Sequence, residues 1–237
     1  MEDTASNSGK RPHTTVVVMA FNEEETLESV VHEILEESRI AGVDTEVDIV
    51  DDGSTDGTPE IAARLANLHA SVRHLRHTEN GGLGQVYRTG FESARGTWLS
   101  FLPADGQIPA RDLHGFWAQE KECDLILGFI PDRPVPAYVK VLSLGERLLY
   151  RVLFGGFPRF QGILLVRMDV IRQLNLVSQG RGWTIVMEMI LRVQRGGFRV
   201  GHSPTTLRDR MAGESKVNNI RTIVSNLQQM LALRSQL

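Results

Sequence analysis

Two adjacent carboxylates follow a short apolar run near residue 50. Residues 48–58 read DIVDDGSTDGT, so that Asp51 and Asp52 stand between the run and a stretch of Gly, Ser and Thr. Acids at the carboxyl end of a parallel strand are placed to meet the ribose and base of a nucleotide, or a metal-bound diphosphate. An ordinary loop is the alternative interpretation, since Asp, Ser and Gly dominate turns and helix starts.

Two further polar loops also follow apolar runs. Residues 20–23 read AFNE, and residues 103–107 read PADGQ. Asp105 and Gln107 alternate like residues on one side of an extended segment. They offer two oxygen ligands to Mg²⁺ or Mn²⁺, with diphosphate oxygens completing an octahedron. The alternative is a surface turn at Asp105.

Alternating strands and helices must position these loops. Strands are predicted at residues 14–19, 46–50, 71–75, 97–102, 124–128, 163–166 and 198–202. Helices are predicted between them, and Asn22 is expected to cap the first, with Glu23–Glu25 in its first turn. This order predicts an α/β fold with a mainly parallel sheet. The three polar loops then lie together, because the carboxyl ends of parallel strands share one edge.

Composition limits the class of protein. The chain has 237 residues, of which 41% are hydrophobic and 23% charged, as expected for one large domain or a domain with an appended element. The net charge of -3 gives no case for nucleic-acid binding. A lone cysteine, Cys123, excludes an internal disulfide and a cysteine-based zinc site, and suits a reducing compartment. No apolar run reaches about 18 residues, which predicts no membrane-spanning helix.

The two ends of the chain and its second half differ from the first half in their patterns of polar and apolar residues. Residues 1–12 are polar and are expected to form a disordered tail. Residues 138–154 predict a basic amphipathic helix that lies at a membrane interface or packs on the core. Residues 217–237 predict a C-terminal amphipathic helix. Its apolar face could lie on a membrane surface, pack on the sheet or form a homodimer contact.

Several motifs together resemble inverting GT-A glycosyltransferases, and among them the dolichol-phosphate mannosyltransferase branch and its polyprenyl-phosphate relatives. The first half contributes AFNEE, VDDGSTDGT, NGGLG followed by RTG, and ADGQ. The second half contributes QGILLVR, a helix with Glu188, and DRMAGESK, which is similar to the family signature Arg-x-x-Gly-x-Ser-Lys. The resemblance covers about residues 14–216.

The resemblance implies a GT-A (Rossmann-like) domain over residues 13–216, with a mixed, mainly parallel sheet flanked by helices and with amphipathic helices in the second half. Residues 13–130 would form the nucleotide-sugar half, and residues 131–216 the acceptor half. The implied nucleotide-binding residues are Ala20, Phe21, Asn22, Glu23, Asp52, Ser54 and Gly82. The implied metal ligands are Asp105 and Gln107.

The resemblance also implies residues for the acceptor and for catalysis. The implied acceptor-phosphate residues are Arg133, Ser143, Arg147, Arg210 and Lys216. The implied catalytic residues are Asp105, Arg210 and Lys216. An arginine fork and a lysine suit phosphate oxygens.

Three positions depart from the family pattern. Pro103 stands where the family usually has the first Asp of an Asp-x-Asp metal motif. Ile130 stands where the family often has an Arg after the fifth strand, and we hypothesise that Arg133 substitutes for it. Pro158 and Arg159 occupy the region in which an Asp is expected.

The implied activity is transfer of a hexose from a GDP- or UDP-linked donor to polyprenyl or dolichyl phosphate, with Mg²⁺ or Mn²⁺ as cofactor. Such an enzyme would be peripheral at the cytoplasmic face of a membrane. One alternative is transfer to a soluble alcohol or polysaccharide, for which Glu188 is the candidate base, or else a packing or capping residue. The other alternative is a non-catalytic nucleotide-sugar-binding protein.

Overall fold

The computed structural model describes residues 11–131, 151–208 and 233–234. Its centre is a seven-stranded sheet in the order β3-β2-β1-β4-β6-β5-β7. The strands are β1 Thr14–Ala20, β2 Thr45–Asp51, β3 Val72–Arg76, β4 Trp98–Pro103, β5 Leu125–Phe129, β6 Leu164–Arg167 and β7 Val200–Pro204. Each lies within two residues of its predicted position.

The sheet is mixed and mainly parallel, as predicted. Strands β1 to β4 pair in parallel, as do β5 and β7. Only β6 pairs antiparallel with its neighbours, β4 and β5. The other six strands therefore share one direction, and the loops that follow β1, β2, β4, β5 and β7 leave the sheet at the same edge.

Helices cover both faces of the sheet. They are α1 Leu27–Ala41, α2 Thr58–Leu68, α3 Leu83–Ser93, α4 Leu113–Trp117, α5 Met168–Gln173 and α6 Thr184–Arg195, with a 3₁₀ turn at Ala110–Asp112. The prediction that Asn22 caps the first helix is wrong, because α1 has Thr26 at its N-cap position. The side-chain oxygen of Asn22 instead accepts a hydrogen bond from the neighbouring loop at Thr55.

Alternation along the strands separates two apolar layers. On β1, Val16 and Val18 pack with α1 and α2, whereas Val17 packs with α3 and α6. The strand is buried on both faces, which explains its almost wholly apolar sequence. The core thus holds the sheet edge between two helical layers.

Charged side chains are buried between β2, β3 and the end of α3. Arg73 donates from Nε and Nη2 to both oxygens of Asp48 (2.7 and 2.5 Å), and from Nη2 to Glu46 (3.1 Å) and the carbonyl of Ser93 (2.9 Å). Asp48 is fully buried. We call these residues the Arg73 cluster. Its charges satisfy one another, as buried charges must.

Two residues of the predicted N-terminal tail contact the fold. Arg11 donates to the carbonyl oxygens of Arg95 (2.7 Å) and Gly96 (3.0 Å), and Thr97 N donates to the carbonyl of Pro12. Arg11 and Pro12, which we assigned to the tail, are therefore bonded to the fold. Within the described ranges, no helix combines the length and apolarity that crossing a membrane requires.

Candidate active site

The loops after β1 and β2 are interlocked by hydrogen bonds. Asn22 N donates to Ser54 Oγ (2.9 Å), and Thr55 N donates back to Asn22 Oδ1 (2.9 Å). Glu23 N donates to Thr58 Oγ1 (2.8 Å). The Ser and Thr residues of the DDGSTDGT run therefore hold the Asn22 loop in place, in addition to any contact that they make with a ligand.

Asn22 has a backbone conformation that few residues adopt. Its φ of 54° places it in the left-handed region, where Asn is favoured over most other non-glycine residues. Phe21 and Glu23 on either side are half-buried, so that both reach the surface at this edge. Ala20 is 2% exposed and its carbonyl accepts from Asp52 N (2.9 Å), so Ala20 joins two strands.

The two acids at the end of β2 both form contacts within the protein. The Asp51 carboxylate is buried, accepts from Ser54 N (2.9 Å) and lies 3.2 Å from Arg76 Nε. Asp52 is 3% exposed, and its carboxylate accepts from the amides of Gly81 (2.9 Å) and Gly82 (2.7 Å). Asp52 therefore holds the glycine loop at the start of α3, a structural role that the sequence did not indicate.

Small residues are required in this glycine loop. Gly82 has φ 78°, and a Cβ there would lie 2.6 Å from the carbonyl oxygen of Arg181. The amide of Gly84 donates to that same carbonyl (2.9 Å), and Arg181 Nη2 donates to Asn80 Oδ1 (2.7 Å). The loop before α6 thus closes over the start of α3, next to Asp52.

Asp105 and Gln107 form a tight turn after β4. Asp105 Oδ1 accepts from Gln107 N (3.0 Å), and the intervening Gly106 has φ 70°. Hard oxygen donors suit Mg²⁺ or Mn²⁺. The described residues contain no group of three or more His, Cys, Asp or Glu that could hold a metal ion. The turn therefore fits a cation only if substrate phosphates complete its coordination, which is how Mg²⁺ is commonly bound.

An ion pair braces this turn from outside. Arg208 N donates to the Gln107 carbonyl (2.7 Å), and its guanidinium binds both oxygens of Glu33 (3.0 and 2.8 Å). Glu33 also accepts from Ala110 N (3.2 Å), beyond the turn. The Glu33 carboxylate raises the pKa of Arg208. Helix α1 thus holds both sides of the 105–107 turn.

A cation that we did not assign to the site lies at the end of β5. Arg159 Nη2 donates to the Ile130 carbonyl (2.9 Å), and its guanidinium carbon lies 4.9 Å from the centre of the Phe129 ring. Arg159 is exposed at the edge that carries Asp105. A guanidinium therefore stands beside Ile130, where the sequence lacks the family's arginine.

All five predicted acceptor residues lie outside the described residues. These are Arg133, Ser143, Arg147, Arg210 and Lys216. Of the helix predicted at 138–154, only residues 151–154 are described, and they are helical. Of the segment 217–237, only residues 233–234 are described; Leu233 is buried in a cluster with Phe154 and Leu191.

Glu188 is not available as a general base. It is fully buried on α6, and its carboxylate accepts from Val177 N (3.0 Å), Ser178 N (2.8 Å) and Arg192 Nε (2.8 Å). Burial alone would raise the pKa of Glu188, but the hydrogen bonds outweigh burial and lower it. Glu188 therefore has the structural role that was the alternative in the sequence: it anchors the loop before α6.

Replacing Glu188 by glutamine should destabilise the fold by about 2–3 kcal/mol, because charge-assisted hydrogen bonds are lost. Since the pKa of Glu188 is lowered in the folded state, its contribution is present above the ordinary value of 4.5 and fades as the pH falls below it. Urea unfolding at several pH values measures this. The structural role of Glu188 would be contradicted if Glu188→Gln lowered the free energy of unfolding by the same amount at every pH. An equal loss in Glu122→Gln, the control at an exposed position, would also contradict it.

Sequence reasoning missed the residues that support the site. Glu33, Arg181 and Arg208 lie far in sequence from the groups that they bind, and so does His77, whose Nδ1 lies 2.7 Å from Asp52 Oδ1. One signal was available for His77: it directly follows β3, as Asp52 directly follows β2. The ion pair between Glu33 and Arg208 joins residues 175 positions apart, and no local pattern indicates it.

Comparison with known proteins identifies similar chains. Residues 15–169 match the family model described as glycosyl transferase family 2. Glycosyltransferase AglD of Haloferax volcanii is 31% identical over 235 residues, which cover 92% of this chain and 36% of that protein. Dolichol-phosphate mannosyltransferase of Saccharomyces cerevisiae is 27% identical over 199 residues, covering 80% and 74%. The corresponding enzyme of Mycosarcoma maydis is 24% identical, covering 96% and 81%. The chain thus spans about a third of the Haloferax protein.

Solved structures share the fold at low identity. Glucosyl-3-phosphoglycerate synthase from Mycobacterium tuberculosis, in complex with Mn²⁺, UDP-glucose and phosphoglyceric acid, superposes with a TM-score of 0.66 at 18% identity, covering 94% of this chain and 80% of that one. S. aureus TarS superposes with a TM-score of 0.56 at 19% identity, covering 80% and 57%. These likenesses confirm the predicted GT-A architecture.

Proposed function

The chain belongs to glycosyl transferase family 2, and from this premise we propose that it is an inverting enzyme that moves a hexose from a nucleotide sugar to polyprenyl or dolichyl phosphate. The donor is GDP-mannose or a UDP-hexose. The two mannosyltransferases to which the chain is similar are named for a dolichol-phosphate reaction, and the similarity covers most of this chain.

The observation that carries this proposal is the convergence of three polar loops at one sheet edge. The Asn22 loop and the Ser54 loop are bonded to each other, and Asp52 is bonded to the glycine loop before α3. The Asp105 turn follows β4, which pairs with β1. The nucleoside then lies against the Asn22 and Asp52 side of the edge, and the diphosphate lies against Asp105.

Asp105 and Gln107 are the residues that would hold Mg²⁺ or Mn²⁺. A cation there supplies charge stabilisation to the departing diphosphate. The mycobacterial synthase crystallised with Mn²⁺ or Mg²⁺ and UDP, which supports a divalent cation for this fold. Because Pro103 replaces the first acid of the usual motif, we expect the substrate phosphates to supply more of the coordination.

The chemistry of the acceptor decides whether the site needs a general base. A phosphate monoester has a second pKa of about 6 and is anionic at neutral pH, so it attacks the anomeric carbon without a strong base. Attack in line from the side opposite the leaving diphosphate inverts the configuration. An alcohol acceptor needs a positioned base, and Glu188 is already bonded to Val177, Ser178 and Arg192. This favours the phosphate acceptor.

Two other functions stay open to test. The mycobacterial synthase crystallised with phosphoglyceric acid, which is soluble, so a soluble acceptor is the second candidate. A non-catalytic nucleotide-sugar binder is the third, motivated by Pro103. If the acceptor is a lipid phosphate, the protein acts as a peripheral protein at the cytoplasmic face of a membrane. Residues 138–154 and 217–237 are then the segments that contact the membrane. The alternative for residues 217–237 is a homodimer contact.

A donor screen followed by a transfer assay tests the proposal. Thermal shifts with GDP- and UDP-sugars and Mn²⁺ should identify a donor, and transfer to a short polyprenyl phosphate should follow. Arg210→Ala and Lys216→Ala should abolish transfer to the lipid phosphate, because each removes a cation that binds phosphate, whereas Lys121→Ala at an exposed site should have no effect. Equal losses with an alcohol acceptor would contradict a phosphate-binding role. If the protein binds a donor but transfers its sugar to neither acceptor, the result would favour a non-catalytic nucleotide-sugar binder.

A further inference from the structure

His77 is the middle of a hydrogen-bonded chain that ends at Asp52. His77 Nδ1 lies 2.7 Å from Asp52 Oδ1, and His77 Nε2 lies 2.8 Å from Thr89 Oγ1. The His77 side chain is 15% exposed and that of Asp52 is 5% exposed. The chain thus connects the end of β3, the end of β2 and the second turn of α3.

The chemistry of the three groups sets the direction of these bonds. An ionised carboxylate only accepts hydrogen bonds, so His77 Nδ1 must carry the proton that it shares with Asp52. Nε2 then accepts from the Thr89 hydroxyl in the neutral ring, or donates to it in the protonated ring. Either form keeps the ring plane oriented between its two partners.

Asp52 in turn orients the glycine loop. Its Oδ1 accepts from Gly81 N (2.9 Å) as well as from His77, and its Oδ2 accepts from Gly82 N (2.7 Å). These bonds use three of the roughly four acceptor positions of a carboxylate. Rotation of the carboxylate would break both amide bonds, and the hydrogen bond from His77 opposes that rotation.

We propose that His77 is a positioning residue for donor binding: through Asp52 it holds the backbone of Gly81 and Gly82 in the conformation that receives the nucleotide. The proposal rests on the proposed function, because it assumes that the donor lies against Asp52. His77 touches no reacting atom in this role. Loss of a group that orients a metal ligand commonly lowers affinity or activity about 10–100-fold, and we expect a loss of the same order for a group that orients Asp52.

A matched set of variants separates positioning from folding. His77→Ala removes both hydrogen bonds. His77→Asn keeps a donor near the position of Nδ1, and Thr89→Val removes only the distal bond. His74→Asn is the control: His74 lies on β3, which ends just before His77, and its Nε2 is 3.9 Å from Asp51 Oδ2, too far for a hydrogen bond. The melting temperature of each variant reports its folding.

Affinity for UDP and GDP with Mn²⁺, measured by calorimetry on the full chain, is the first readout. His77→Ala should weaken the binding of the preferred nucleotide about 10–100-fold. The KM for the corresponding nucleotide sugar should rise by a larger factor than kcat falls. His77→Asn should recover part of the affinity, and Thr89→Val should lose less than His77→Ala. Unchanged affinity in His77→Ala, or an equal loss in His74→Asn, would overturn the proposal.

Amide hydrogen exchange of Gly81 and Gly82 without ligand is the second readout. We expect exchange at these two amides to be about tenfold faster or more in His77→Ala, with no change in His74→Asn. If the wild type binds neither nucleotide, the proposed function and the donor-positioning role fail together, while exchange still reports whether His77 holds the loop. Unchanged exchange in His77→Ala would overturn the positioning claim even if nucleotides bind.

Discussion

Asp105→Asn should lower sugar transfer by about 10²–10³-fold. Loss of a group that supports a metal ligand typically costs 10–100-fold, and Asp105 is itself the proposed carboxylate ligand. Asparagine keeps the size of the side chain and an acceptor for Gln107 N, so the turn should persist. The loss then reports charge and not folding.

The measurement needs a binding readout beside activity. Mn²⁺ binding in the presence of UDP or GDP, followed by electron paramagnetic resonance, should weaken in Asp105→Asn together with transfer. Asp44→Asn makes the same chemical change at an exposed position beside the amino end of β2 and should alter neither quantity. Full activity of Asp105→Asn, or metal-independent binding and turnover in the wild type, would refute the metal assignment.

Arg73→Met should cause a large loss of stability, about 3–5 kcal/mol at neutral pH. Methionine fills much of the same space but leaves the fully buried Asp48 without its bidentate partner and Glu46 without one of its donors. Removing one partner of a buried ion pair commonly costs this much, because the remaining charge stays buried. Urea unfolding monitored by tryptophan fluorescence measures the change.

The pH dependence of this loss has a definite sign. Burial raises the pKa of Asp48 and of Glu46, and Arg73 opposes the increase in both. Without Arg73 these pKa values rise further, so the native state takes up protons before the unfolded state does. The deficit of Arg73→Met should therefore shrink as the pH falls from neutral towards the ordinary carboxyl value of 3.8 for Asp48.

A second arginine provides the control. Arg64 also binds a carboxylate with two nitrogens, at Glu28, but both side chains are largely exposed. Water solvates exposed charges whether or not they are paired, so Arg64→Met should not change stability measurably. If Arg73→Met is as stable as Arg64→Met, or if its deficit grows on acidification, the account of the cluster is wrong.

The order and spacing of the apolar runs predict the sheet and the edge at which the polar loops converge. Strand β1 has an almost wholly apolar sequence because helices cover both of its faces. Such a run is typical of a strand in a parallel sheet that is buried on both faces. Asn22, Asp52 and Asp105 each stand just after such a run. Their convergence follows from the shared direction of parallel strands and needs no knowledge of side-chain contacts.

The partner of each acid is visible only in the folded chain. From the sequence, Asp48, Asp52, Asp105 and Glu188 are four carboxylates that lie in, or just after, predicted strands and helices. In the fold, the Asp52 carboxylate is hydrogen-bonded to His77 and to two backbone amides. Asp48 accepts from Arg73, and Glu188 accepts from the loop before α6. Local periodicity determines on which face a residue lies, but the donor that reaches a carboxylate comes from another element. That choice is made when the layers pack, because a buried charge must find its partner there.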